Sequence, residues 1–206
     1  MLKILGRATS TNVQKVLWFC DSQNREYDHD NEIGGAFGRN DSPEYLAMNP
    51  NGRVPVVIDG DFVMWESNSI IRYLARQSKS DLYPSDFAAR QTIERWMDWE
   101  LSLLAPRHVP VFIGLVRTKP EDRNPDTINA AVVQWNAAMQ VLENQLADHR
   151  YVAGEKFTLA DIPIAPLAHR WFNLDIDRID APNIKRWYES FADDVGFRKW
   201  VDIKLA

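Results

Sequence analysis

Residues Leu2-Lys3-Ile4-Leu5 alternate apolar and polar, which predicts a short strand, and after a polar turn from Gly6 to Asn12 the residues Val13, Val16, Leu17, Phe19 and Cys20 give an apolar helix face. The chain therefore opens β then α. Arg53 to Ile58 reads RVPVVI, a β-rich run entered through a proline; Asp59-Gly60 is a strong two-residue turn, and Phe62-Val63-Met64-Trp65 supplies the returning strand of a hairpin. Glu66-Ser67-Asn68-Ser69 leads into Ile70, Ile71, Tyr73 and Leu74 at helical spacing, so Ser67 or its neighbour caps a helix.

Beyond Gln77 the pattern changes. Ser78 to Asp86 is polar and carries Pro84, which predicts a linker, and after it strand signals almost vanish. A long amphipathic stretch from Ala88 to Val116 is rich in aromatics and holds Pro106 and Pro110, which are expected to bend or break it. A second helix is expected from Pro125 to Leu146, with Val132, Val133, Trp135, Met139, Val141 and Leu142 on its apolar side. In FTLADI, Thr158 and Asp161 form a capping-box-like pair and Phe157 can staple against Ile162. The organisation predicted is an α/β domain over residues 1–78, a linker over 79–87 and an all-helical domain over 88–206.

The hairpin and the helix after it bring three kinds of binding group together. A cis peptide is affordable at Val54-Pro55, because a tertiary amide reduces the trans preference to about 0.5–1 kcal/mol. It would turn the Val54 amide and carbonyl outward, where they can pair with an extended peptide as an added strand. The helix start at Ser67 offers free amides and a positive dipole end to a carboxylate. Glu66 offers a negative charge to an ammonium. Peptide-strand acceptor, carboxylate cradle and ammonium partner together suit a zwitterionic γ-glutamyl peptide.

In this order these features resemble the glutathione-binding half of the cytosolic glutathione transferases, and the similarity extends over essentially the whole chain. The resemblance implies a thioredoxin-like N-terminal α/β domain followed by an all-α C-terminal domain, with glutathione as co-substrate. The turn Ala8-Thr9-Ser10-Thr11-Asn12 lies where that family places the group that activates the thiol. Its spacing resembles the serine-using, bacterial theta-like and nu-like classes; no tyrosine is there. By that resemblance Ser10 is the catalytic hydroxyl, with Thr9 and Thr11 as alternatives in register, and Asn12 is a second donor. The chemistry needs such a donor because a free thiol, with a pKa of about 8.5, is mostly protonated at neutral pH while the thiolate is the nucleophile. The glycine carboxylate of glutathione calls for a cation. Arg53 matches the family position, while Arg39 and Asn40, in the loop Gly34 to Asn40, are weaker glutathione contacts. That loop lacks a Walker lysine and is not a nucleotide site. FTLADI resembles the family's N-capping motif, which gives Thr158 and Asp161 a structural role.

The remaining features narrow the function. Cys20 is the one cysteine, so there is no disulfide framework, no CxxC pair and no thiolate metal site, and within the apolar face of the first helix it is expected to be a buried, inert thiol. The four histidines lack ligand spacing and no metal is expected; they read as ordinary residues, His108 alone meriting attention. A net charge of −5 argues against nucleic acid or an anionic membrane as partner, and the short apolar run at the N-terminus is no signal peptide, so a cytoplasmic protein is expected. The resemblance implies conjugation to a small-molecule electrophile held near Leu103, Arg107, His108, Val111, Phe112 and Trp171, and a homodimer. Ile93, Trp96, Met97 and Leu101 supply apolar surface for the dimer contact. Glutathione-dependent peroxidase or disulfide reductase activity, or a non-catalytic protein-interaction module on the same fold, are the alternatives.

Overall fold

The computed structural model describes residues 1–205. Its elements run β1 (Leu2–Leu5), α1 (Thr11–Ser22), β2 (Tyr27–Asp30), α2 (Pro43–Met48), β3 (Val56–Asp59), β4 (Phe62–Trp65), α3 (Ser67–Gln77), α4 (Phe87–Trp99), α5 (Ala105–Phe112), α6 (Pro125–Asp148), α7 (Asp161–Asn173), α8 (Pro182–Glu189) and α9 (Val195–Trp200). Two compact units result: Met1–Ser80 with Asp194–Ile203, and Asp81–Asp193. The first boundary falls inside the expected linker. The division differs at the far end, where Asp194–Ile203 returns to the first unit instead of completing the helical domain.

The first unit is built on a four-stranded sheet in the order β2-β1-β3-β4, with β1 parallel to β2 and antiparallel to β3. The hairpin forms as expected, but Asp59 pairs with Phe62, so the two-residue loop is Gly60-Asp61, one position later than the Asp-Gly pair suggested. Helix α1 buries Val13, Val16, Leu17, Trp18, Phe19 and Cys20 completely, and α3 does the same with Ile70, Ile71 and Leu74. Burial pushes the Cys20 thiol up to about 12, which makes it the inert residue the sequence implied.

The second unit is helical. Pro106 and Pro110 do not break the chain: α4 and α5 are joined by a π-helical stretch, Glu100–Leu104, and a second, Ile113–Arg117, follows α5. A proline removes one backbone donor and crowds the carbonyl a turn earlier. Widened turns on either side of Pro106 and Pro110 let the helix pass them without a break. At the head of α7, Asp161 is fully buried and accepts the Val152 and Thr158 amides at 2.9 and 2.8 Å and the Trp187 indole at 2.8 Å. Thr158 Oγ1 accepts the Ala160 amide at 3.2 Å and donates to Asp161 Oδ2 at 3.3 Å, so Thr158 and Asp161 cap the helix start together. The Phe157 ring packs on Tyr151 and Phe191. No helix among the described residues is long and apolar enough to cross a membrane.

Candidate active site

The turn between β1 and α1 is shaped by Gly6. Its φ is +146°, and a Cβ there would lie 2.8 Å from both Val13 Cγ2 and Val54 Cβ, so the turn and the Val54 loop touch only because the side chain is missing. Ser10 ends the turn as the N-cap of α1. Its backbone is extended, with φ −84° and ψ 123°, and its carbonyl takes the Val13 and Gln14 amides, but its hydroxyl makes no capping bond. An N-cap serine ordinarily uses that oxygen to satisfy a helix amide. Here the hydroxyl is not used in that way, and no acidic residue in the first turn of α1 offsets the dipole.

The Val54–Pro55 peptide is cis. The loop into it is pinned from below by two residues that are not among the expected site residues. The Tyr45 hydroxyl and the Asn49 amide each donate to the Arg53 carbonyl at 2.8 Å. Burial pushes the Tyr45 phenol up to about 12, so it remains a neutral donor. Tyr45 lies in a small core with Ile33 and Val56, against which Val54 packs. The signal for Tyr45 was present in Ser42-Pro43-Glu44, a capped helix start with proline at its first position.

Glu66 precedes α3 with φ +70° and ψ 104°. Such a conformation costs a non-glycine residue about 1–3 kcal/mol, and strain of this kind concentrates at ligand sites. Ser67, next to it, is buried, and its hydroxyl donates to Asn12 Oδ1 at 3.3 Å. Four of the expected residues, Ser10, Asn12, Glu66 and Ser67, thus cluster where the N-termini of α1 and α3 meet. Arg39 and Asn40 are engaged otherwise: Arg39 forms an ion pair with Asp30 at 3.0 Å, and the Asn40 amide donates to the Gly52 carbonyl at 2.7 Å. The exposed Arg53 side chain makes no hydrogen bond or ion pair among the described residues.

The residues expected to line the electrophile pocket divide into two groups. Leu103 is exposed and Arg107 half-buried, but His108, Val111, Phe112 and Trp171 are interior residues of the second unit. His108 Nδ1 donates to the Ala105 carbonyl at 2.9 Å, and Nε2 accepts from Arg170 at 2.9 Å, since a guanidinium can only donate. The same guanidinium lies 3.7 Å above the Phe112 ring, and the Trp171 indole bonds Asn136 at 2.9 Å. Among the described residues no group of three or more His, Cys, Asp or Glu is disposed to hold a metal.

Comparison with known proteins agrees with this architecture. Residues 2–76 match the glutathione S-transferase N-terminal domain family and residues 104–194 the C-terminal domain family. Glutathione S-transferase GstB of Escherichia coli is 37% identical over 209 residues, with full coverage of both chains. Glutathione S-transferase 3 of Zea mays is 31% identical over 97% of this chain and 93% of its own. The crystal structure of a theta-class glutathione S-transferase from Xanthomonas axonopodis pv. citri with glutathione bound superposes with a TM-score of 0.96, at 38% identity and covering 100% and 99% of the two chains. On its fold, on both domain matches and on full-length similarity, the chain belongs to the glutathione S-transferase family.

Proposed function

We propose that the protein binds glutathione on its N-terminal unit, holds it as the thiolate beside Ser10 and directs it at a small hydrophobic electrophile. The observation that carries this reading is the junction of two helix N-termini, tied by the Asn12–Ser67 hydrogen bond and flanked by an uncommitted Ser10 hydroxyl. Each N-terminus carries about half a positive charge. The α1 end suits a thiolate and the α3 end a carboxylate. Glu66 stands beside the second as an ammonium partner, and the Val54 backbone is the edge on which the peptide would pair. Ser10 acts by donating to sulfur, which favours the charged form, and not as a base. Arg53 is the cation for the glycine carboxylate, with Arg39 and Asn40 further out.

Glutathione, rather than a protein cysteine, is the reacting thiol in this reading, because Cys20 is buried and held protonated. A single free cysteine also fits the reducing cytoplasm, where we place the protein.

Recognition is tested by the double substitution Glu66→Ala and Ser67→Ala, which removes the ammonium partner and a hydroxyl at the α3 start. The variant is expected to lose retention on a glutathione column while melting within a few degrees of the wild type. Full retention by a folded variant would contradict the placement of the γ-glutamyl site.

A homodimer belongs to the same proposal. Ile93, Trp96 and Met97 are buried within the protomer, which leaves Leu101 exposed from that set. The larger exposed patch is on edge strand β4, where Phe62, Val63 and Trp65 line a cavity of about 350 Å³ with Met64, Ser69 and Tyr73. An uncovered apolar edge strand is an aggregation hazard unless something packs on it. Sedimentation at micromolar concentration is expected to give a species of twice the 23.8 kDa chain mass. A monomer throughout would reject the dimer.

A further inference from the structure

His29, which sequence pattern marks as ordinary, sits at a junction between the C-terminal segment and the turn that carries Ser10. Its Nε2–H donates to the Gly6 carbonyl at 2.8 Å, and because a carbonyl only accepts, Nε2 holds the proton. The Gly6 N–H donates in turn to the Asp30 carbonyl at 2.9 Å. Gly6 is therefore gripped through both of its polar groups, at the point where β1 ends and the turn begins. Four residues on, the Ser10 amide closes onto the Arg7 carbonyl at 3.1 Å. The orientation of the Gly6–Arg7 peptide sets the direction in which the turn leaves the sheet. That direction fixes where the Ser10 hydroxyl points.

The other side of the His29 ring is met by Trp200, edge to face, at 5.7 Å between centroids and 88° between planes. The Trp200 indole donates to Asp21 Oδ2 at 2.8 Å, and Asp21 also takes the Tyr27 hydroxyl at 2.8 Å and the Lys199 ammonium at 3.1 Å. Helix α9, which carries Trp200, is seated directly on α1. A Cβ at Gly196 would lie 2.8 Å from a Trp18 ring carbon, the Phe197 ring packs on Trp18 at 5.3 Å, and the Trp18 indole donates to Asp194 at 3.0 Å. This explains why Asp194–Ile203 returns to the first unit. It also delivers Trp200 to the back of the His29 side chain that holds the Gly6 carbonyl.

We infer that His29 is a positioning residue for thiol activation: backed by Trp200 of the C-terminal segment, it fixes the Gly6 carbonyl and so aims the Ser10 hydroxyl and the α1 N-terminus at the glutathione sulfur. The inference rests on the reading of Ser10 as the activating donor. It predicts a residue pair remote from bound glutathione whose loss changes the thiol more than the binding of the peptide.

The test compares wild type, His29→Leu, His29→Gln, Trp200→Leu and Ser10→Ala by the apparent pKa of glutathione in the complex, by kcat and KM for glutathione, and by melting. Glutamine is chosen because its amide N–H₂ reaches about as far as Nε2. His29→Leu is expected to raise the bound thiol pKa and lower kcat about three- to tenfold with KM changed less than about twofold, the range for one neutral hydrogen bond. His29→Gln should recover most of that loss, and Trp200→Leu should shift the thiol pKa in the same direction as His29→Leu by a smaller amount. Wild-type thiol pKa and kcat in His29→Leu would overturn the inference, as would an equal loss in His29→Gln. If His29→Leu does not fold, an unchanged thiol pKa in Trp200→Leu overturns it and a raised one supports it. A shifted Ser10→Ala beside an unshifted His29→Leu removes this inference alone, whereas an unshifted Ser10→Ala removes the reading of Ser10 and this inference with it.

Discussion

Replacing Asp161 by alanine is expected to destabilise the protein by about 3–5 kcal/mol and to lower its melting temperature by roughly 6–20 °C, at about 2–4 °C per kcal/mol for a chain of this length. Asp161 is fully buried, and its two oxygens satisfy the backbone amides of Val152 and Thr158 and the indole of Trp187. Alanine leaves two buried N–H groups, of Val152 and Trp187, and the part-buried Thr158 amide without an acceptor, each buried one costing about 1–3 kcal/mol, offset in part because a buried carboxylate no longer has to be desolvated. That desolvation outweighs the four hydrogen bonds in setting the acidity, and the carboxyl rises from 3.8 to about 6. The sign of the pH dependence follows. A raised pKa in the folded state means that this group contributes most below pH 3.8, and its contribution declines as pH rises through about 6. The deficit of Asp161→Ala should therefore widen between pH 6 and pH 4, by at most about 3 kcal/mol. Thermal and urea unfolding across that range measure both effects; a loss under about 1 kcal/mol would show that the Val152 and Trp187 donors find other partners.

Ser10→Ala is the second substitution with a large expected effect. A hydrogen bond to a charged partner contributes about 1.5–3 kcal/mol, so turnover near neutral pH should fall by roughly 10- to 150-fold if the hydroxyl is committed to the thiolate. Glutathione affinity should change little, because in the proposed mode of binding the peptide is held by Val54, Glu66, Ser67 and Arg53. Stability should also change little, since the Ser10 hydroxyl makes no capping bond to lose. That separates Ser10 from an ordinary N-cap, whose removal costs about 1 kcal/mol of folding stability. Asn12→Ala, which breaks the link to Ser67, is expected to affect both turnover and binding; a steady-state analysis at varied glutathione distinguishes the two patterns.

How far the sequence could be read depended on whether a local rule decided the outcome. Strand β1, the hairpin and helices α1 and α3 follow from periodicity and turn chemistry that act within a few residues. Strand β2 does not: Tyr27-Asp28-His29-Asp30 has no apolar alternation, and it is a strand because it pairs with β1 at the sheet edge. The junction of Asn12 with Ser67 could be anticipated only through a family resemblance, since it joins positions far apart in sequence. For the electrophile pocket no local rule sufficed: two π-helical stretches shift the helical phase around α5, so a 3.6-residue period cannot be carried past Pro106 and Pro110 to say which side chains share a face. The return of Asp194–Ile203 to the first unit, with Gly196 against Trp18, has no local signature at all.

The central claim is that the α1 N-terminus and the Ser10 hydroxyl lower the pKa of a bound glutathione thiol. Titrating the thiolate absorbance of the protein–glutathione complex, in the wild type and in Ser10→Ala, tests it most directly. The account predicts an apparent pKa at least about one unit below the ordinary thiol value of about 8.5 for the wild type, moving back toward that value in the variant. A bound thiol no more acidic than the free one, or the same pKa in both proteins, would contradict it.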